Sequence, residues 1–153
     1  MTVPVEQQFY QSANAYYEGA MILMKPPDTG GKTNEFLVQP AVTCAALSLK
    51  LYLKSLLALE GIDKEDAIYS IADLYRSLSS KFKEALLNKF DEMSNTQITS
   101  DELIRRLETL DNAFVRWRYV HEEDARSVNL EVMEEMILAV KATIGSMKPE
   151  WPS

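Results

Sequence analysis

The stretch "PAVTCAALSLKLYLKSLLALEG", residues 40–61, constrains this chain more than any other. It is apolar on most sides, relieved by Thr43, Ser48, Lys50, Lys54 and Ser55. Apolar residues on every face mean that other parts of the protein must surround a helix made from it. Pro40 suits the first helical turn and Gly61 the position just past the end, so the spacing predicts a helix opening at Pro40. Such a helix belongs in the middle of a bundle. It is too interrupted to cross a membrane, and no run reaches the roughly 18 apolar residues that a span needs.

The flanking segments repeat apolar residues at helical spacing. Phe9, Ala13, Tyr16, Ala20 and Leu23 alternate steps of four and three, predicting one buried stripe on a helix over about residues 5–25. "KPPDTGGK" stops it, through two prolines without backbone donors and two glycines. "DKEDAIYSIADLYRSL" reads as a turn and a short helix. In "SKFKEALLNKFDEM" the stripe is Phe82, Leu86, Phe90 and Met93, and "SNTQ" is a break. Thr99 and Glu102 then have capping-box spacing. The seam after them is Leu103, Leu107, Leu110, Phe114, Trp117 and His121, on a helix of up to about 22 residues. Asn129 reads as the cap of a last helix carrying Met133, Met136, Ile137, Val140 and Ile144, and Trp151 as an anchor for an otherwise loose tail. The expectation is all-α: one domain over residues 1–148, an up-and-down bundle of four long helices plus one or two short ones, and a tail at 149–153.

Several function classes fall away. Five glycines are too few for a phosphate-cradling fold. A single cysteine, Cys44 in an apolar run, excludes an internal disulfide and reads as a small core residue. One histidine cannot build a His-rich zinc site, and no Glu-x-x-His pair exists for a di-iron bundle, so no metal and no cofactor are expected. No nucleophile triad, P-loop or dinucleotide fingerprint is present. Met1 to Gln8 is polar and acidic, unlike a leader, so the cytoplasm is the expected compartment. Net charge is −7, which disfavours non-specific nucleic-acid binding. Yet five of the six arginines, Arg105, Arg106, Arg116, Arg118 and Arg126, fall in one short region, interleaved with acids.

That region contains "FVRWRYVHEE", with the lone His121. At about 100° per residue, Arg118 lies roughly 60° around a helix from His121, and Arg116 roughly 140° away. Arg116 and His121 therefore act together only if the helix bends or if two chains share the site. The plainer reading is a packed histidine and an Arg118–Glu122 intrahelical ion pair.

"ANAYYEGAMIL", "PAVTCAALSLKLYLKSLLALEG" with its Tyr-Leu-Lys-x-Leu-Leu ending, "YSIADLYRSL" and "DNAFVRWRYVHE" together resemble the HEPN family of small all-α domains. The likeness covers most of the chain, and Arg116 and His121 stand at the family's arginine–spacer–histidine spacing. The resemblance implies a helical bundle that dimerises, with paired motifs facing each other across a cleft. It implies a metal-independent RNA endonuclease, a toxin or antiphage defence effector in some settings with an antitoxin or other partner protein. His121 would be the general acid or base and Arg116 would stabilise charge on phosphorus, while Arg118 and Tyr119 are assigned to substrate binding. The chain departs from the pattern in four places: Trp117 follows the arginine where a small polar residue is usual, Glu122 and Glu123 follow the histidine and would repel a phosphate backbone, Ser70 stands where histidine is common, and Lys50 where many relatives are acidic. Many family members are non-catalytic modules for dimerisation and for partner, nucleotide or RNA binding, and that is the alternative here.

Overall fold

In the computed structural model, residues 2–24, 35–62, 70–95, 97–119 and 130–153 are described, without the side chains of 35–38, 113–119 and 130–131. Among these residues all regular structure is helical. The order is α1 (Val5–Met24), α2 (Glu35–Leu59), α3 (Ile71–Arg76), α4 (Ser80–Ser94), α5 (Ser100–Tyr119) and α6 (Leu130–Met147). Five helices are long, with α4 reaching 15 residues, and α3 has six. α2 is central, packing against α1, α3, α5 and α6.

α2 begins at Glu35, five residues ahead of the predicted start, so Pro40 sits inside it. Only about one turn precedes the proline, so the ring costs one backbone hydrogen bond near an end where donors are already unpaired. The other end follows the sequence. Gly61 adopts φ 78°, its N–H donates to Ala58 O at 2.9 Å, and Ile62 N–H reaches Leu57 O at 2.9 Å. This six-to-one closure needs a residue that tolerates left-handed backbone. By length and composition Gln39–Leu59 would suffice to cross a membrane, contrary to the sequence expectation: 21 residues, mean hydropathy 1.5, with 56% of its most apolar stretch buried inside the protein.

α1 and α2 run antiparallel, and three polar side chains of α2 fix their register. Ser48 Oγ donates to Ala13 O at 2.8 Å and Ser55 Oγ to Glu6 O at 2.7 Å. Tyr52 Oη donates to Asn14 Oδ1. Ala13 and Ala20, both fully buried, let the backbones approach. The predicted α1 stripe is only half right. Tyr16 is 41% exposed, and Tyr10 and Tyr17 take the inward places instead. Stripes through 9-13-16-20 and 10-13-17-20 share their alanines, and both satisfy helical spacing.

Leu49 and Leu53 of α2, Leu86 and Phe90 of α4, Leu103 and Leu107 of α5, and Met136 and Val140 of α6 converge on one apolar core around a void of about 10 Å³. The sequence reading of α6 holds throughout: Met133, Met136, Ile137, Val140 and Ile144 are all buried. In α4 it holds for Leu86 and Phe90, whereas Met93 is 48% exposed in the last turn. That turn ends at Asn95, whose left-handed φ of 58° suits asparagine. Trp151 does anchor the C-terminus, with its ring centroid 5.5 Å from that of Tyr10.

Tyr52 is fully buried, and burial pushes its hydroxyl far above the ordinary value of 10. Burial also raises Tyr10 and Tyr75, and Tyr17 is raised by burial and by the neighbouring Glu134 carboxylate. A phenol with a raised folded-state pKa stabilises fully below the unfolded value, and that contribution is lost as pH rises beyond it. Melting temperature should therefore fall steeply above pH 10. Tyr52→Phe should lower stability at neutral pH and flatten that alkaline slope, read from paired melts with tyrosinate absorbance. A slope unchanged in the variant would place its origin elsewhere.

Candidate functional site

The arginine–histidine region begins on α5, whose first three turns are tightly specified. Thr99 Oγ1 accepts from Glu102 N–H at 3.2 Å, the N-terminal half of the predicted capping box. Leu103, Leu107 and Leu110 are buried on one line, so the heptad seam is correct as far as Leu110. The register continues through positions 114 and 117, whose side chains lie outside the described residues.

α3 clasps the middle of α5. The Asp111 carboxylate accepts from Ile71 N–H at 2.8 Å and from Ala72 N–H at 3.0 Å, binding two free donors at the start of α3. Ser70 Oγ takes a third, from Asp73 N–H at 3.1 Å, so this residue serves as a helix cap. Arg76 bridges Asp73 at 3.0 Å and Glu108 of α5 at 2.6 Å, and the Tyr75 and Ser100 hydroxyls lie 2.9 Å apart. The exposed Arg76 pairs add little; the Asp111 contacts, partly buried and charge-assisted, dominate. Asp111→Ala should cost about 2 kcal/mol and loosen α3, because it strips two backbone N–H groups of their acceptor. The measurement is amide exchange at Ile71 and Ala72, and protection at wild-type levels would refute this role.

Arg116, Arg118 and Tyr119 occupy the last described turns of α5, with side chains outside the description; His121 lies outside the described residues, as does Arg126. The structure therefore neither joins nor separates the Arg116–His121 pair. It does show the start of the arginine face. Arg105 and Arg106 are exposed, and the Arg106 guanidinium lies 5.7 Å from the centroid of the Phe90 ring. Position 116 is 11 residues beyond Arg105, which is about 20° around the helix and about 16 Å along it. The exposed Thr109 and Asn112 lie between them on nearly the same line, so the face is polar and uncharged from one arginine to the next. The acids of this part of α5, Glu108 and Asp111, stand to one side of that line, toward α3.

What sequence reading missed is Asp111 itself. An acid five residues before Arg116 looks like solvated surface, because its partners are backbone groups 39 and 40 residues away. Among the described residues no group of three or more His, Cys, Asp or Glu side chains is arranged to hold a metal ion. No family model, no curated protein and no solved structure matches this chain.

Proposed function

We propose that this chain is a HEPN-like helical protein acting in the cytoplasm as a homodimeric, metal-independent RNA endonuclease, an effector of a toxin–antitoxin or antiphage system. His121 takes the proton of a ribose 2′-hydroxyl or returns one to the leaving 5′-oxygen. The Arg116 guanidinium offsets the charge that builds on phosphorus as the 2′-oxygen attacks. Arg118 and Tyr119 hold the flanking nucleotide, by a phosphate contact and by stacking.

The observation that carries this reading is the anchoring of α5. Its first half is fixed by the buried Leu103–Leu107–Leu110 seam and by Asp111 on α3. A site that acts through positioned side chains needs such a support, since small misplacements cost large factors in rate. An all-α fold around one central apolar helix is also what the family resemblance implies. The test is cleavage of single-stranded RNA by the purified protein in EDTA. The reading requires 2′,3′-cyclic phosphate ends, and an inert protein, or cleavage only with added metal, would refute it.

A second reading is a non-catalytic HEPN-like module for dimerisation and for binding a partner protein, nucleotide or RNA. The net charge of −7 and the acids interleaved with the arginines in sequence favour it, because both weaken attraction for a polyanion. It requires RNA to remain intact under all those conditions.

A further inference from the structure

In sequence, Asp101, Glu102, Glu108 and Asp111 surround Arg105 and Arg106, which looks like a mixed, solvated helix face. The fold sorts these charges by side. At about 100° per residue, Thr109 and Asn112 fall within about 40° of Arg105, while Glu108 lies about 60° and Asp111 about 120° around to one side. That side faces α3, and there both acids are already compensated. Glu108 accepts from the Arg76 guanidinium at 2.6 Å, and the Asp111 carboxylate holds the two amides at the start of α3. Arg106 lies about 100° around the other way, with its guanidinium 5.7 Å from the centroid of the Phe90 ring.

Between these flanks Arg105, Thr109 and Asn112 face solvent, all three exposed. Among the described residues no carboxylate pairs with Arg105. The line runs about 10 Å along the helix and continues in register to position 116. Asp101 and Glu102, in the first turn, close it at the other end.

The chemistry of this line fits a sugar–phosphate strand. An arginine fork matches phosphate oxygens, and hydroxyl and amide side chains bond phosphate and sugar. Thr109 Oγ1 spends its own proton on Arg105 O at 2.9 Å, so toward solvent it presents only lone pairs. A ribose 2′-hydroxyl can donate to those lone pairs, and deoxyribose has no such donor. A protein partner is the poorer match, because interfaces between proteins centre on apolar and aromatic residues and this line has none. The net charge of −7 lowers the overall affinity for a polyanion. At physiological salt, however, exposed charges more than about 8 Å away are largely screened, so the local line decides where a strand lies.

We propose that a single strand of RNA runs along α5 over Arg105, Thr109 and Asn112, with a phosphate on the arginine and a ribose hydroxyl on Thr109. This deepens the reading above, since it gives the same polymer a path toward position 116. Its test reads affinity rather than cleavage, so the two can fail separately.

The experiment follows the fluorescence anisotropy of a short dye-labelled RNA single strand of mixed sequence. It is titrated at several salt concentrations with the full chain carrying His121→Ala, which keeps the strand intact. Adding Arg105→Glu should weaken binding about tenfold with helical circular dichroism unchanged. It should also make the dependence of log affinity on log salt shallower by about 0.7, the share of one phosphate contact on a single strand. Asn112→Asp, nearly unchanged in shape, should weaken binding by setting a carboxylate on the line. Lys81→Glu makes the same charge reversal at an exposed position of α4 and should cost about twofold at most. DNA of the same sequence should bind more weakly than the RNA. Absence of RNA binding overturns the proposal, as do equal losses for Arg105→Glu and Lys81→Glu, or equal affinity for DNA. Binding that depends on Arg105, in a protein whose wild type cleaves no RNA, keeps the path and refutes the nuclease; cleavage with affinity indifferent to Arg105 does the reverse.

Discussion

His121→Ala should abolish RNA cleavage and leave the melting temperature within a degree or so of wild type; this is the largest effect that the nuclease reading predicts. General acid–base catalysis by one positioned side chain is worth about 10²- to 10⁴-fold, and no other histidine exists to replace it. His121→Gln should fail equally, since it offers hydrogen bonds but no titration near neutral pH. Arg116→Lys should lower the rate while keeping the charge, because an ammonium cannot offer the planar two-pronged donor that a phosphorane accepts. The pH–rate profile supplies an independent check. It should show one limb that is absent from any residual activity of the variant. Full cleavage by His121→Ala would remove the histidine from the chemistry. A large fall in melting temperature with RNA untouched by the wild type would instead make it a packed side chain of a non-catalytic module.

Leu53→Ala should lower stability by about 3 kcal/mol, toward the middle of the range for emptied leucine sites. Leu53 is 1% exposed, and it lines the junction where α2, α4, α5 and α6 meet. The junction already holds a void of about 10 Å³, and truncation adds to it rather than letting the walls close. Four separate helices supply those walls, each held by contacts of its own, so collapse onto the missing atoms is resisted from every side. For a chain of this size the expected fall in melting temperature is roughly 10 °C. The control is Leu51→Ala, on the same helix but half-buried, which should cost under half as much in the isolated chain. Equal losses for the two would mean that burial within the single chain does not govern the energetics of α2.

Some features were legible from the residues alone because they depend on neighbours close in sequence. Helical type follows from apolar spacing, the end of α2 from Gly61, the start of α5 from Thr99, and the inward line of α6 from its methionines and β-branched residues. Each is local: a cap bonds three residues away, and a stripe repeats every turn. The central place of α2 was legible for a related reason, since a helix apolar on most sides has nowhere else to go. The candidate site was legible only as residue types at a spacing, because what an arginine and a histidine do depends on what surrounds them.

Tertiary structure alone decided the rest. Which of two overlapping stripes on α1 turns inward was settled by serine and tyrosine hydroxyls of α2 that reach across to Ala13, Glu6 and Asn14. Pro40 fell inside a helix because the segment before it could wind on. Asp111 became the clasp between α5 and α3 because folding brought two unpaired amides to its carboxylate. Periodicity names the faces of a helix, and it is silent on which neighbour each will meet, because that choice is made by contacts between residues dozens of positions apart.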